Sequence, residues 1–172
     1  YRFMGGVLLH ELTVDQIGQL AALGDVEAGS EEGCRAAADI RRYLACAGAD
    51  PRTDLAVDYA RVFLSAGVYD GLTAEPYESV FTSEDHLLMQ DARDDVVRRY
   101  RRFGVEVDPA LHMPEDHLGL ELNFVGVLAG RAAEALRSDD GSRARELVEA
   151  QRRFLSDHVL NWMDDLIGKV DE

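Results

Sequence analysis

Residues 118–132 read LGLELNFVGVLAGRA, a run that is apolar on most sides at helical spacing. A helix with one apolar stripe lies on a surface, whereas one that is apolar nearly all round has to be enclosed by other elements. The run therefore predicts a central helix and obliges the rest of the chain to supply the wall around it. No stretch of six residues alternates apolar and polar positions with the β-branched enrichment of a strand, and only 4 prolines interrupt a chain rich in Ala, Leu, Arg and Glu. The expected fold class is all-α. With 172 residues, 47% of them hydrophobic, there is material for one well-filled core and little for a second, so a single-domain helical bundle over residues 1–172 is expected.

Start and stop signals divide the chain. A short first helix is expected over residues 2–10, and Thr13 with Gln16 reads as a capping box for a second that fades near Gly24. Ser30, followed by Glu31 and Glu32, offers the oxygen and the negative charge that a helix N-terminus favours, for a third helix running to Gly48. Residues 53–66 place Leu55, Tyr59, Val62, Phe63 and Ala66 on one face, with Gly67 as the stop. VYDGLTAEPYESVFT, residues 68–82, reads as the longest irregular segment, closed by a Thr82 to Asp85 capping pair. Irregular stretches of this length are more often functional than idle.

A fifth helix is expected from Ser83 to Phe103, stopping at Gly104. Arg98, Arg99, Arg101 and Arg102 fall in its last turns, where cations complement the helix dipole, so the cluster requires no nucleic acid to explain it. Pro114 fits the first turn of the central helix, where its missing N–H would be unpaired in any case. A last helical segment, residues 142–167, carries Leu147, Phe154, Val159 and Trp162 at helical spacing, with a break near His158, and should pack against the central helix.

The formal charge is -15, from 18 basic and 33 acidic side chains, and Lys169 is the sole lysine. A field of that sign repels nucleic acid and anionic membranes and favours cationic partners. Glu121 and Asn123 break the best apolar window short of the roughly 18 to 20 residues a membrane span requires, so no stable membrane insertion is expected. The opening YRFMGGVLLHEL has no basic leader followed by a small-residue cleavage site, which points to the cytoplasm. Cys34 and Cys46 lie far from any CxxC spacing, and one helical stretch carries both; reduced, structural thiols are expected.

Several chemistries lack their residues. Lys169 is followed by Val170, so there is no phosphate-binding loop. A di-iron bundle needs Glu three residues before His, but Val7, Ser83, Pro109, Pro114 and Leu155 stand there. HExxH and GxSxG are both missing. The stretch that invites a function is HMPEDHLGLELNFVGVL, residues 112–128, where Glu115, Asp116 and His117 stand at the mouth of the central helix. They either start that helix, the acids favoured by its dipole and the histidine hydrogen-bonded nearby, or form a working site. His117 and Glu121, four apart, would suit an ion pair, a metal ligand pair, or an acid and base. No third ligand is suggested by spacing, and no cofactor is expected.

Four segments together resemble one family. DYARVFLSAG (58–67), EPYESVFTSEDHLLMQ (75–90), MPEDHLGLELNFVGVL (113–128) and FLSDHVLNW (154–162) are similar, in order and spacing, to the TorD/DmsD/NarJ group of cytoplasmic redox-enzyme maturation chaperones. The resemblance implies an all-helical protein, not an enzyme, that binds the twin-arginine signal peptide of a molybdenum-containing reductase subunit. Such a protein holds the client back from export until its molybdopterin cofactor is inserted, and some relatives contact the client's folded body. The family's Pro-x-Asp-His motif falls on Pro114, Asp116 and His117, and its Pro-Tyr-x-Ser loop on Pro76, Tyr77 and Ser79. Tyr59 and Phe63 match aromatic positions of the preceding helix. Relatives often carry an acid just before the motif proline, where Met113 stands here. The first 50 residues carry little of the likeness, and the client, a monomeric or homodimeric state, and binding of guanine nucleotide or cofactor are left open.

A twin-arginine peptide has two arginines ahead of a moderately apolar stretch, so its receptor needs acids beside an apolar groove. An exposed arginine–carboxylate pair contributes about 0.2 to 1 kcal/mol, whereas a fully buried leucine-sized side chain contributes about 1.5 to 3 kcal/mol. Affinity should come from the groove, and the acids should set orientation and encounter rate. Tyr59, Phe63, Tyr77, Val80, Phe81 and Leu120 are expected to line that groove, with Asp116 and Glu121 meeting the arginines and His117 fixing Asp116 by a hydrogen bond. Two rival readings remain: a helical hydrolase or nucleotide-binding enzyme using Asp116, His117 and Glu121, and a general acidic interaction module.

Overall fold

The computed structural model describes residues 1–22, 30–64 and 74–171. Among these the chain forms nine α-helices, one 3-10 turn and one π turn; its only β-type pairing is an isolated antiparallel bridge between Tyr77 and His117. The all-α class holds. Two units are distinguished by their internal contacts: residues 11–61, and residues 1–10 together with 62–172.

The unit of residues 11–61 holds α2 (Val14–Ala21), α3 (Glu31–Cys46) and α4 (Pro51–Phe63) up to Arg61. The capping box is present: the Thr13 hydroxyl accepts from the Gln16 N–H while the Gln16 side chain accepts from the Thr13 N–H. Ser30 caps α3 by accepting from the Gly33 N–H. α3 stops at Cys46, two residues before the expected glycine, and α4 starts two residues early because Pro51 suits a first helical position. Leu55 and Tyr59 are half-buried, as are Val62 and Phe63 in the other unit; Ala66, Gly67 and Gly24 lie outside the described residues. Cys34 and Cys46 are both free and exposed on α3, which has no fully buried residue.

The larger unit contains α1 (Arg2–Leu9), α5 (Glu78–Thr82), α6 (Asp91–Arg102), the 3-10 turn Pro109–Leu111, α7 (Leu118–Arg137), α8 (Gly141–Phe154), the π turn Leu155–Val159 and α9 (Met163–Val170). α7 is the expected central helix, with Leu118, Phe124, Val125, Leu128 and Ala132 all buried, and α1 and α8 pack against it. Tyr100, Phe124 and Phe154 fill the middle, ring centroids 4.6 and 4.8 Å apart along the series. The break expected near His158 is the π turn. Gly104 ends the segment after α6 in the left-handed region, φ 59°, as its place after the arginines implied.

Two start signals misled. α6 begins at Asp91, not Ser83, because the hydroxyls that looked like caps are used locally. The Thr82 hydroxyl donates back to the Glu78 carbonyl, and Ser83 Oγ accepts from the Leu87 N–H within a turn. The supposed irregular segment also contains α5. α7 begins at Leu118, not around Pro114, because the His117 side chain is the cap: its Nδ1 accepts from the Gly119 N–H at 3.0 Å.

α1 crosses α7 where both present glycine. A Cβ on Gly119 would stand 2.6 Å from Leu9 Cγ and 2.8 Å from the Gly5 carbonyl oxygen, and one on Gly5 would stand 2.7 Å from the Gly119 carbonyl oxygen. Backbone cannot yield as a flexible side chain does, so Gly119→Ala is expected to cost about 1 to 3 kcal/mol by forcing the helices apart. Urea unfolding of the variant checks this, and a neutral result would show that the crossing adjusts freely.

Candidate functional site

The two motifs that carry the family likeness are stitched together by backbone. Residues 76–78 run antiparallel to 116–118: the Leu118 N–H donates to the Pro76 carbonyl at 2.8 Å and the Glu78 N–H to the Asp116 carbonyl at 3.0 Å. Side chains add to this. Both the N–H (2.9 Å) and the hydroxyl of Ser79 donate to Asp116 Oδ2, and the Tyr77 ring meets the His117 ring edge-on, centroids 4.9 Å apart. Pro76, Tyr77, Ser79, Pro114, Asp116 and His117 therefore form one junction, though Ser79 and Asp116 lie 37 residues apart in sequence.

The acids of this junction are interior. Asp116 and Glu121 have no exposed surface, and His117 retains 5%. The expectation that Asp116 and Glu121 meet arginines is corrected: both are enclosed, Asp116 just ahead of α7 and Glu121 in its first turn. His117 does not fix Asp116 either; Ser79 does, and His117 is committed to Gly119. Burial, with a smaller contribution from the charge of His10, lowers the His117 pKa to about 4, so its imidazole is neutral at ordinary pH, as a cap acceptor must be.

Neither Glu121 oxygen meets an N–H or hydroxyl donor, and Asp116 Oδ1 is likewise without one. Burial first, and then the charges of Glu78 and Asp116, raise the Glu121 pKa well above the ordinary carboxyl value; a hydrogen bond shared with the Glu78 carboxyl acts the same way. Asp116 is raised as well, by burial, although the Ser79 bonds oppose this. Burial and the surrounding acids also raise Tyr100, whose hydroxyl donates to the Glu115 carbonyl at 3.2 Å.

Behind the junction runs a polar network that sequence reasoning did not assign. His158 stands between Glu78 Oε2 at 2.9 Å and Asp95 Oδ2 at 2.8 Å. Asn161 Nδ2 donates to Glu78 Oε1 at 3.1 Å, and Trp162 Nε1 donates to the His158 carbonyl. Burial pushes Asp95 up, but the Arg98 hydrogen bond and the charges of Arg99 and His158 outweigh it and leave its pKa lowered. The readable signal was Glu78 inside the Pro-Tyr-x-Ser loop and His158 at the helix break.

The remaining expected residues are spread out. Val80 and Phe81 are half-buried, with Phe81 stacked on Trp162 at 5.0 Å. Leu120 is buried at 7% exposure, and Phe63 is half-buried at the end of α4. Tyr59 belongs to the other unit, where burial and the Glu11 charge raise its pKa.

The raised Glu121 pKa has a sign that can be tested. The folded state holds a proton that the unfolded state releases near pH 4.5, so this group weighs least against folding below that pH. The cost then grows by up to about 1.4 kcal/mol per pH unit, for one proton, until the folded pKa is reached. Glu121→Gln is expected to match the wild type near pH 4.5 and to exceed its stability at about pH 8. His117 acts oppositely, its contribution being lost as pH falls from 6.5 to about 4, so the difference between variant and wild type isolates Glu121. Urea denaturation at both pH values checks it; equal stability at both would mean that Glu121 is ionised in the fold.

The two motifs on which the likeness to the TorD/DmsD/NarJ group rests are thus brought together within one helical unit. The chain belongs to the nitrate reductase delta subunit family, whose model matches residues 27–168. It is 30% identical over 126 residues to a protein named chaperone protein TorD from Vibrio parahaemolyticus, covering 72% of this chain and 54% of that one. Against the protein of that name from Vibrio cholerae O395 it is 34% identical over 114 residues, 66% of this chain and 49% of the relative. With that of Aliivibrio fischeri the likeness is 24% over 169 residues, 94% and 76% of the two chains. The chain spans about half the length of the first two relatives. No solved structure is a significant match.

Proposed function

We propose that this chain is a cytoplasmic maturation chaperone that binds the twin-arginine signal peptide, and part of the body, of a molybdenum-containing reductase subunit, delaying export until the cofactor is in place. The observation that carries this reading is the joining of the Pro-Tyr-x-Ser and Pro-x-Asp-His motifs into one junction, in a chain whose relatives are named chaperones. The charge of -15 supports a cationic partner. Among the described residues, no helix is long and apolar enough to cross a membrane. In this reading the half-buried Phe63, Tyr77, Val80 and Phe81 offer apolar contact. Asp116, His117 and Glu121 shape the junction from within, with Pro76, Ser79, Pro114 and Leu120. The hydrolase or nucleotide-binding alternative is not favoured, because its three groups are buried and His117 Nδ1 is already an acceptor.

Calorimetric titration with a twin-arginine signal peptide, at low and physiological salt and beside a Lys-Lys control, tests the reading. Binding with a negative heat-capacity change and a weaker control supports an apolar site with acidic surroundings. No binding to any such peptide would defeat it.

A further inference from the structure

Between α5 and α6, residues 83–90 place Leu87, Leu88 and Met89 in water, at 56%, 38% and 56% exposure. Single exposed leucines are ordinary on a surface, but three consecutive apolar side chains on one turn are a patch. The backbone beneath them is held in place. His86 and Met89 both lie in the left-handed region, at φ 52° and 64°. The Leu87 N–H donates to Ser83 Oγ at 3.3 Å, the Gln90 N–H to Ser79 Oγ at 3.2 Å, and the Gln90 side-chain amide to the Leu88 carbonyl at 2.9 Å. Left-handed non-glycine backbone persists where its surroundings over-determine it, and such positions gather at ligand clamps. Ser79 also holds Asp116, so the turn is anchored to the buried junction.

Met89 continues into a cleft of about 360 Å³ whose apolar walls include Val107, Pro109, Met113 and Pro114. Methionine on two sides lets such a cleft adapt to varied apolar sequence. The unpaired charges around the ledge are of one sign. Glu84, Asp85 and Asp91 are exposed and meet no arginine or lysine among the described residues. Arg93, the arginine at the cleft, is already bound by Glu115 at 2.6 and 2.9 Å and by Asp94 at 3.1 Å. An apolar ledge with unneutralised acids at its border complements an apolar segment with a cationic end.

We propose that the Leu87–Leu88–Met89 ledge and its adjoining cleft receive the apolar stretch of the client's signal segment, while Glu84, Asp85 and Asp91 face its arginines. This placement rests on the signal-peptide reading above and moves the recognition surface off the buried acids. The test is titration of the full chain with a synthetic peptide carrying paired arginines ahead of a Leu-Ala stretch. Leu87→Ser with Met89→Ser should weaken binding about tenfold or more, with helicity and melting unchanged because both side chains are exposed. Asp85→Asn with Asp91→Asn should weaken it by about threefold at low salt and hardly at all at high salt. If the wild type binds and the apolar double variant binds equally well, the ledge is wrong and the signal-peptide reading stands. If the wild type binds no such peptide, that reading falls and the ledge loses its occupant with it.

Discussion

His158→Ala is expected to cost the larger unit about 3 to 5 kcal/mol, from the void left by the buried ring and from a buried carboxyl that loses its hydrogen-bond partner. The imidazole bonds Glu78 and Asp95 at once, and the Glu78 side chain is only 3% exposed. Without the ring, Glu78 keeps only Asn161 as a side-chain donor while sharing its surroundings with Glu121 and Asp116. Asp95 suffers less, since Arg98 and Arg99 still reach it. His158→Gln, which can retain one donor, should lose less than alanine. The readout is the urea midpoint at constant slope. A loss below about 1 kcal/mol would mean that water reaches Glu78 and that the network is peripheral to stability.

Trp162→Ala is expected to be of similar size, about 3 to 5 kcal/mol, but for a different reason. Trp162 is 1% exposed, and truncating it leaves a void lined by atoms that cannot close over it. It also removes the donor to the His158 carbonyl and the ring on which Phe81 stacks. Phe81→Ala with Trp162→Ala should therefore cost less than the two single changes added, because the second truncation removes a contact already lost. Additive losses would show that the stacking has no energetic weight. The conservative change Trp162→Phe separates packing from hydrogen bonding, since it keeps most of the ring's contacts and loses the N–H.

The helices and their order were legible because periodicity and caps are local: Thr13 with Gln16, Ser30, the apolar run of α7 and Gly104 all lie within a turn of what they determine. What failed was also local in appearance. Thr82 and Ser83 have the chemistry of caps, but their hydroxyls bond within their own turn, and Pro114 looked like a helix start that His117 took over. For the candidate site, the motifs identified which residues belong together, but not which way they face. Burial of Asp116 and Glu121 follows from the enclosure of α7 at its first turn, and no spacing rule separates an acid at a rim from one just beneath it. Glu78 and His158 escaped notice because the two lie 80 residues apart.

The separation of those partners also governs when the site can exist. Ser79 meets Asp116 across 37 residues, and Glu78 meets His158 across 80 and Asn161 across 83. Closing loops of this size costs chain entropy before any contact rewards it, so such pairings form late relative to the helices themselves. During synthesis, the Pro-Tyr-x-Ser loop is made long before the groups that hold it. A chain ending before residue 158 would expose Glu78 with neither partner. The Glu78 network is thus the part of the site that only a chain extended past residue 161 can complete.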